Sequence, residues 1–200
     1  MTQSFATEQT KQAMSSRQSD VFHRLVALTL DYGFSRYTLE QAAAALRCSK
    51  TTIYALAGSR EQLIRSVVVS FFRDAAERVE HRVAEETDPI RRVEVYLGAV
   101  ADELRPASAL FMDDVAAFPP AREIYERNTA IATQRVQELI SEGVELGVFK
   151  TVPIEFIAEV MSSVMVRIQQ REFSKNAGLT DAEAYAGLAN LIMHGIVRID

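Results

Sequence analysis

One cysteine, five prolines, eight glycines and no tryptophan in 200 residues exclude several classes of protein before any motif is read. Cys48 is the lone cysteine, so no internal disulfide can form and nothing points to an oxidising compartment. So few glycines and prolines, beside plentiful Ala, Leu, Val, Glu and Arg, argue against a turn-rich β protein and for long helices. Long apolar runs are also missing. The longest stretch without Asp, Glu, Lys or Arg, Ala184–Val197, contains Asn190 and His194 and is shorter than the roughly 20 residues of a membrane span. The opening MTQSFATEQTKQAMSS is polar and lacks the apolar core of a signal peptide, so the sequence predicts a cytoplasmic protein with no membrane partner. Apolar residues at 48% and charged residues at 24% are globular values and exclude wholesale disorder.

The net charge of −5 speaks against a nucleic-acid partner only if the chain is treated as uniform. Residues 1–60 hold seven basic side chains (Lys11, Arg17, Arg24, Arg36, Arg47, Lys50, Arg60) against four acidic ones, a balance of +3. The remainder then carries −8. A basic head on an acidic body suits a head that meets a polyanion.

Helical periodicity and capping signals divide the chain into about nine helices, with no strand pattern and no internal repeat. Residues 1–16 read as a tail. Apolar positions from Val21 to Leu30 predict a first helix from about Arg17 to Tyr32, stopped by Gly33. Thr38 with Gln41 opens a second helix, Ser49 a short third one to about Leu56, and Ser59 with Gln62 a long fourth one to about Glu86. Prolines then restart the chain: Pro89 to Leu104, Pro106 to about Ala117, Pro119-Pro120 to near Gly147, and Pro153 to Phe173. Thr180 with Glu183 caps the last helix, Asp181–Ile199. The fold class is all-α, organised as a tail (1–16), a head (17–60) and a body (61–200).

The second and third helices are joined only by Arg47-Cys48-Ser49, too tight a link for an antiparallel return, so they cross steeply as a helix-turn-helix. In that motif the second helix enters the DNA major groove. Ser49, Lys50, Thr51, Thr52 and Tyr54 supply hydroxyls, an ammonium and an aromatic ring there, and the helix starts at Thr38, Ser49 and Ser59 offer N–H groups to phosphates.

An enzymatic constellation is not visible. His23, His81 and His194 are scattered, no Gly-rich phosphate loop exists, and no Cys/His spacing suits a metal. Asp113-Asp114 has the composition of a metal pair, but neighbours on a helix point apart, and a solvated face or a cap accounts for them better. The sequence calls for no catalytic residue, metal or cofactor.

The window TLEQAAAALRCSKTTIYALAGSREQL, with Gly33 before it, resembles the DNA-binding head of the tetracycline-repressor (TetR) family over roughly residues 20–66. The resemblance implies three N-terminal helices on a helical ligand-binding and dimerisation body. By position it assigns Lys50, Thr51 and Tyr54 to base edges or the groove wall, and Thr38, Thr52, Tyr54 and Arg60 to phosphates. Arg47 stands where glycine is common, which asks an L-residue to take a left-handed geometry. Leu56 and Ala57 replace a usual histidine and large aromatic. These departures leave open an alternative, a dimeric helical ligand-binding protein that has lost specific DNA recognition. EGVELGVF, with Gly143, Gly147 and Phe149, resembles the family's turn before the eighth helix.

The resemblance further implies a homodimer built from the last two helices, reading a palindromic operator in double-stranded DNA. Ile157, Val164 and Ile168 on one helix and Leu188, Ile192 and Ile196 on the other are the candidate interface; burial within one subunit is the other reading. Candidate pocket residues are Tyr96, Phe111, Met112, Phe118, Tyr125, Met161 and Met165, whose character favours a small apolar or amphipathic effector or, alternatively, marks plain core. Arg167 is placed to meet a carboxylate, solvent or an anionic ligand.

Overall fold

The computed structural model describes residues 14–149 and 153–196, leaving out the Ile196 side chain. Most of the expected tail, and residues 197–199 of the expected last helix, lie outside the described residues. Among the described residues ten helices follow one another: α1 (Ser16–Tyr32), α2 (Leu39–Ala45), α3 (Lys50–Tyr54), α4 (Arg60–Ala84), α5 (Pro89–Leu104), α6 (Ala109–Ala117), α7 (Pro119–Glu145), α8 (Ile154–Gln169), α9 (Glu172–Ala177) and α10 (Asp181–Ile196).

Side-chain caps set most of these starts. Ser15 with Gln18 and Thr38 with Gln41 form reciprocal capping boxes. Ser49, Ser59 and Asp88 cap α3, α4 and α5, each cap being worth about 1 kcal/mol. The sixth helix starts later than Pro106 suggests: Ser108 accepts from the Phe111 N–H and the helix begins at Ala109. Pro106 instead lies in the turn after α5, and the Ser108 hydroxyl supplies the cap by accepting an N–H of the first turn of α6, which proline cannot do.

The predicted helix Pro153–Phe173 is two helices. Arg171 takes a left-handed conformation, with φ of 63°, and the chain turns there into α9. Periodicity misses this break because the apolar spacing continues across it to Phe173. What turns the chain is long-range: the Arg171 guanidinium is buried against Asp113 and Asp181. Between α7 and α8, Gly147 has φ of 72°, and the N–H groups of Val148 and Phe149 both donate to the Gly143 carbonyl. A Cβ on Gly143 would lie 2.2 Å from the Phe149 ring, so only glycine lets that buried phenylalanine close the turn.

Two cores organise the chain. The smaller one gathers Val21, Phe22, Leu25, Leu39, Ala42, Ala43, Leu46 and Ile53 from α1–α3, closed by Leu63 and Val67 of α4. The larger one lies among α4–α8 and α10, with α5 packed between α4 and α10. Helix α4 turns Leu63 and Val67 to one core and Ile64 and Val68 to the other, so it contributes to both.

Candidate nucleic-acid interface and body cavities

In the head, α1 supports the two shorter helices through a polar tie as well as the small core. Arg24 donates to the Leu46 carbonyl at 2.7 Å, occupying an acceptor left open at the end of α2. Arg47 follows with φ of 52°, the left-handed turn expected where an arginine stands in for glycine. The Ser49 hydroxyl then accepts from the Thr52 N–H and lies 2.8 Å from the Thr52 hydroxyl. Ser49 and Thr52 are thereby engaged with each other. Lys50, Thr51 and Tyr54 remain as the outward side chains of α3.

Glu40 on α2 approaches the Lys50 ammonium at 3.4 Å. Its carboxyl is held below the ordinary glutamate range, first by its own backbone N–H and then by the Thr38 hydroxyl and Lys50. This geometry answers how an acidic group tolerates a basic head: it turns toward a lysine. Thr38, Tyr54 and Arg60 line one open groove of about 510 Å³, together with Ser35, Arg36 and Gln41. Of these, Arg36 is a cation expected to add only non-specific attraction to DNA, and Gln41 is expected only as a capping residue. Their signal, a cation and an amide flanking the α2 cap, was present but not distinctive. Arg60 also donates to the Phe34 carbonyl, so its guanidinium holds the loop after α1 as well as facing the groove.

The head is fastened to the body at α6. Phe34 belongs to the larger core, edge-on to Phe111 and Phe118 at centroid distances of 6.2 and 5.9 Å. The Asp114 carboxylate accepts from the N–H groups of Phe34 and Ser35, and the Ser108 N–H donates to the Leu30 carbonyl. Gly33 permits the approach, since a Cβ there would stand 2.5 Å from Asp114 Oδ2. Of the pair expected to form a solvated face or a cap, Asp113 is exposed, while Asp114 is half-buried against loop N–H groups. The pair does point apart, but Asp114 holds the head and Asp113 pairs with Arg171. No local signal in the sequence identifies partners 79 residues away in the chain.

The seven candidate pocket residues do not form one pocket. Tyr96 and Tyr125 line an inner cavity of about 170 Å³ among α4, α5, α7 and α10, with Phe72, Val79, Leu104 and Tyr185. Met112, Met161 and Met165 are core residues, and Phe111 and Phe118 clasp Phe34. The largest opening, about 1110 Å³, is elsewhere, a cleft among α6–α9 that none of the seven lines. Its walls carry Arg122, Glu126, Thr129, Thr133, Gln169, Arg171 and Lys175. Sequence reasoning looked for apolar linings and so passed over these residues.

Among the interface candidates, Ile168, Leu188 and Ile192 are buried in the subunit's own core, and Ile157 and Val164 pack against it. Ile168, Leu188 and Ile192 thus fill the subunit's own core, whereas Ile157 and Val164 are only partly buried and keep exposed surface. The Ile196 side chain lies outside the described residues. Large apolar groups facing outward on α8 and α10 are instead Phe156, Val160, Val166 and Leu191, the last 75% exposed. Arg167 pairs with Glu172 at 2.7 Å and stacks over Phe173. Among the described residues no helix is long and apolar enough to cross a membrane. No group of three or more His, Cys, Asp or Glu side chains is placed to hold a metal ion among them.

A helix-turn-helix head fused through its fourth helix to an all-helical body is a defined architecture, that of the TetR-family transcriptional regulators. This chain has that fold. It is similar to PfmR, a TetR-family regulator from Thermus thermophilus, at 19% identity with a TM-score of 0.63, covering 89% of this chain and 99% of that one. A transcriptional regulator from Saccharomonospora viridis in complex with choline is similar at 16% identity with a TM-score of 0.72, over 93% of this chain and all of that one. AibR, in complex with isovaleryl coenzyme A and operator DNA, is similar at 18% identity with a TM-score of 0.58, over 88% and 97%. No protein-family model and no curated protein matches the chain.

Proposed function

We propose that the protein is a ligand-responsive, DNA-binding transcriptional regulator that acts as a repressor, binds a palindromic operator as a homodimer and is not an enzyme. The observation that carries this reading is α3: a capped helix whose outward side chains are Lys50, Thr51 and Tyr54, beside a groove containing Thr38 and Arg60. Those groups match the two tasks of DNA recognition, base-edge contact by α3 and phosphate contact around it. AibR supports the reading as a protein of this fold in complex with both a ligand and operator DNA.

A second copy is the natural cover for the outward apolar face of α8 and α10. Phe156 and Val160 are one turn apart and Leu191 lies on the neighbouring helix. Pairing there holds two α3 helices at a fixed distance, which a palindrome requires to be about 34–36 Å. An effector in the body acts on that distance through α6, because α6 bonds the head through Asp114 and Phe34. Its influence is limited to its preference for one arrangement over the other.

Selection of bound sequences from random DNA, repeated across salt concentrations, tests the reading. A palindrome with a steep negative salt slope is expected. Lys50→Ala should lower discrimination between operator and random DNA, whereas Arg60→Ala should weaken both alike. Equal operator binding by wild type and Lys50→Ala overturns the assignment to α3. No enriched sequence at all favours a ligand-binding protein that has lost DNA recognition.

A further inference from the structure

Seven polar or charged residues are buried among the described residues, and four of them, Thr129, Thr133, Gln169 and Arg171, line the α6–α9 cleft. A fifth, Asp181, is bonded to Arg171 directly behind it. Burying polar groups is unfavourable unless they are hydrogen-bonded, and these are. Gln169 Nε2 donates to the Thr129 hydroxyl, Thr133 Oγ1 to the Thr129 carbonyl and Arg171 Nε to Asp113, so the floor of the opening is a preassembled polar network. The apolar part of the lining is small side chains, Ala116, Ala117, Ala130 and Val166, with no aromatic residue and no Leu, Ile or Met among the described residues. That composition suits neither an aromatic cage for a quaternary ammonium nor a tunnel for an acyl chain.

The charges are arranged unevenly. Lys175 has no carboxylate within ion-pair distance among the described residues, and Arg122 has only Glu126 at 3.7 Å. Deeper in, Arg171 donates through Nε to Asp113 at 2.8 Å, through Nη1 to Asp181 and through Nη2 to Ser174. Of its two carboxylates, Asp181 is buried while the Asp113 side chain is 61% exposed. Asp113 is thus the replaceable partner, and its neighbour Asp114 holds the head.

We propose that this cleft binds a small hydroxylated organic anion, a carboxylate or a phosphate ester. The anionic group is drawn in by Lys175 and Arg122 and takes the place of Asp113 on Arg171, while Thr129, Thr133 and Gln169 bond the hydroxyls. Freed from Arg171, α6 can shift, and with it the Asp114 contact to Phe34. The proposal refines the effector site of the regulator reading and rests on that reading for its consequence, though not for binding itself.

Full-length protein at fixed ionic strength is titrated with gluconate, glycerol phosphate, octanoate and glucose. Heat of binding and the Arg171 Nε–H resonance are followed. Saturable binding of gluconate or glycerol phosphate that moves the Arg171 resonance is expected, and the two separate a carboxylate from a phosphate preference. Arg122→Ala with Lys175→Ala, both at the cleft mouth, should weaken binding by about tenfold without lowering the unfolding temperature. Asp113→Asn should tighten it, by removing the competing charge. The proposal is overturned if octanoate or glucose binds in preference, if no probe binds saturably, or if the double variant binds like wild type. None of these readouts uses DNA, so failure to select an operator would sink the regulator reading and leave this one standing.

Discussion

Asp114 Oδ2 lies 2.5 Å from the Phe34 backbone nitrogen and 2.7 Å from that of Ser35, so one carboxylate of α6 accepts both N–H groups of the loop that ends α1. The Phe34 ring enters the body core at the same point, between Phe111 and Phe118. A polar clamp and an aromatic plug therefore join the head to the body through α6.

Asp114→Ala leaves two N–H groups without their acceptor and should cost about 1–3 kcal/mol. Hydrogen exchange checks it: the Phe34 and Ser35 amides should lose protection while α5 and α10 keep theirs. Unchanged protection at those two amides would mean that the clamp does not hold the loop.

Leu191→Glu with Phe156→Glu places two charges on the outward face of α8 and α10 without touching the core. Sedimentation should show a monomer for this variant and a dimer for wild type, with unaltered helix content. If the variant stays dimeric, the subunits meet elsewhere.

Arg47 pays a backbone cost that glycine would not, since its φ is 52°. Arg47→Gly should raise stability by about 1 kcal/mol, read as an unfolding temperature higher by about 2–4 °C. The side chain is exposed, so lost packing does not offset the gain.

Burial pushes the Tyr125 and Tyr185 phenols above the ordinary tyrosine value, with each ring's neighbour modifying the shift. The folded state favours the neutral form, so this contribution to stability is complete below the unfolded pKa of about 10 and falls as pH rises above it. Denaturant unfolding at neutral and alkaline pH should show a smaller alkaline loss for Tyr125→Phe than for wild type.

Much of the head was readable from local chemistry. Thr38 and Gln41 lie three apart and cap reciprocally, Ser49 caps α3, and Arg47 adopts the left-handed geometry that its place in the turn demands. These are interactions between residues close in the chain, which spacing encodes. The body was readable as helices but not as a site. Apolar periodicity shows which residues are buried without showing against what, so Ile168, Leu188 and Ile192 looked equally suited to a partner or to their own core. The break at Arg171 and the polar cleft were hidden for a related reason: their determinants, Asp113 and Asp181, approach from other helices.

By itself, then, the sequence determined an all-helical chain with a basic head, capped helix-turn-helix segments and no disulfide, because composition, charge and capping act over a few residues. Only the tertiary structure decided that Asp114 grips Phe34, that Arg171 closes a polar floor, and that the outward face of α8 and α10 carries Phe156 and Leu191. Each of those depends on groups brought together by packing, and no spacing along a chain records which helix faces which.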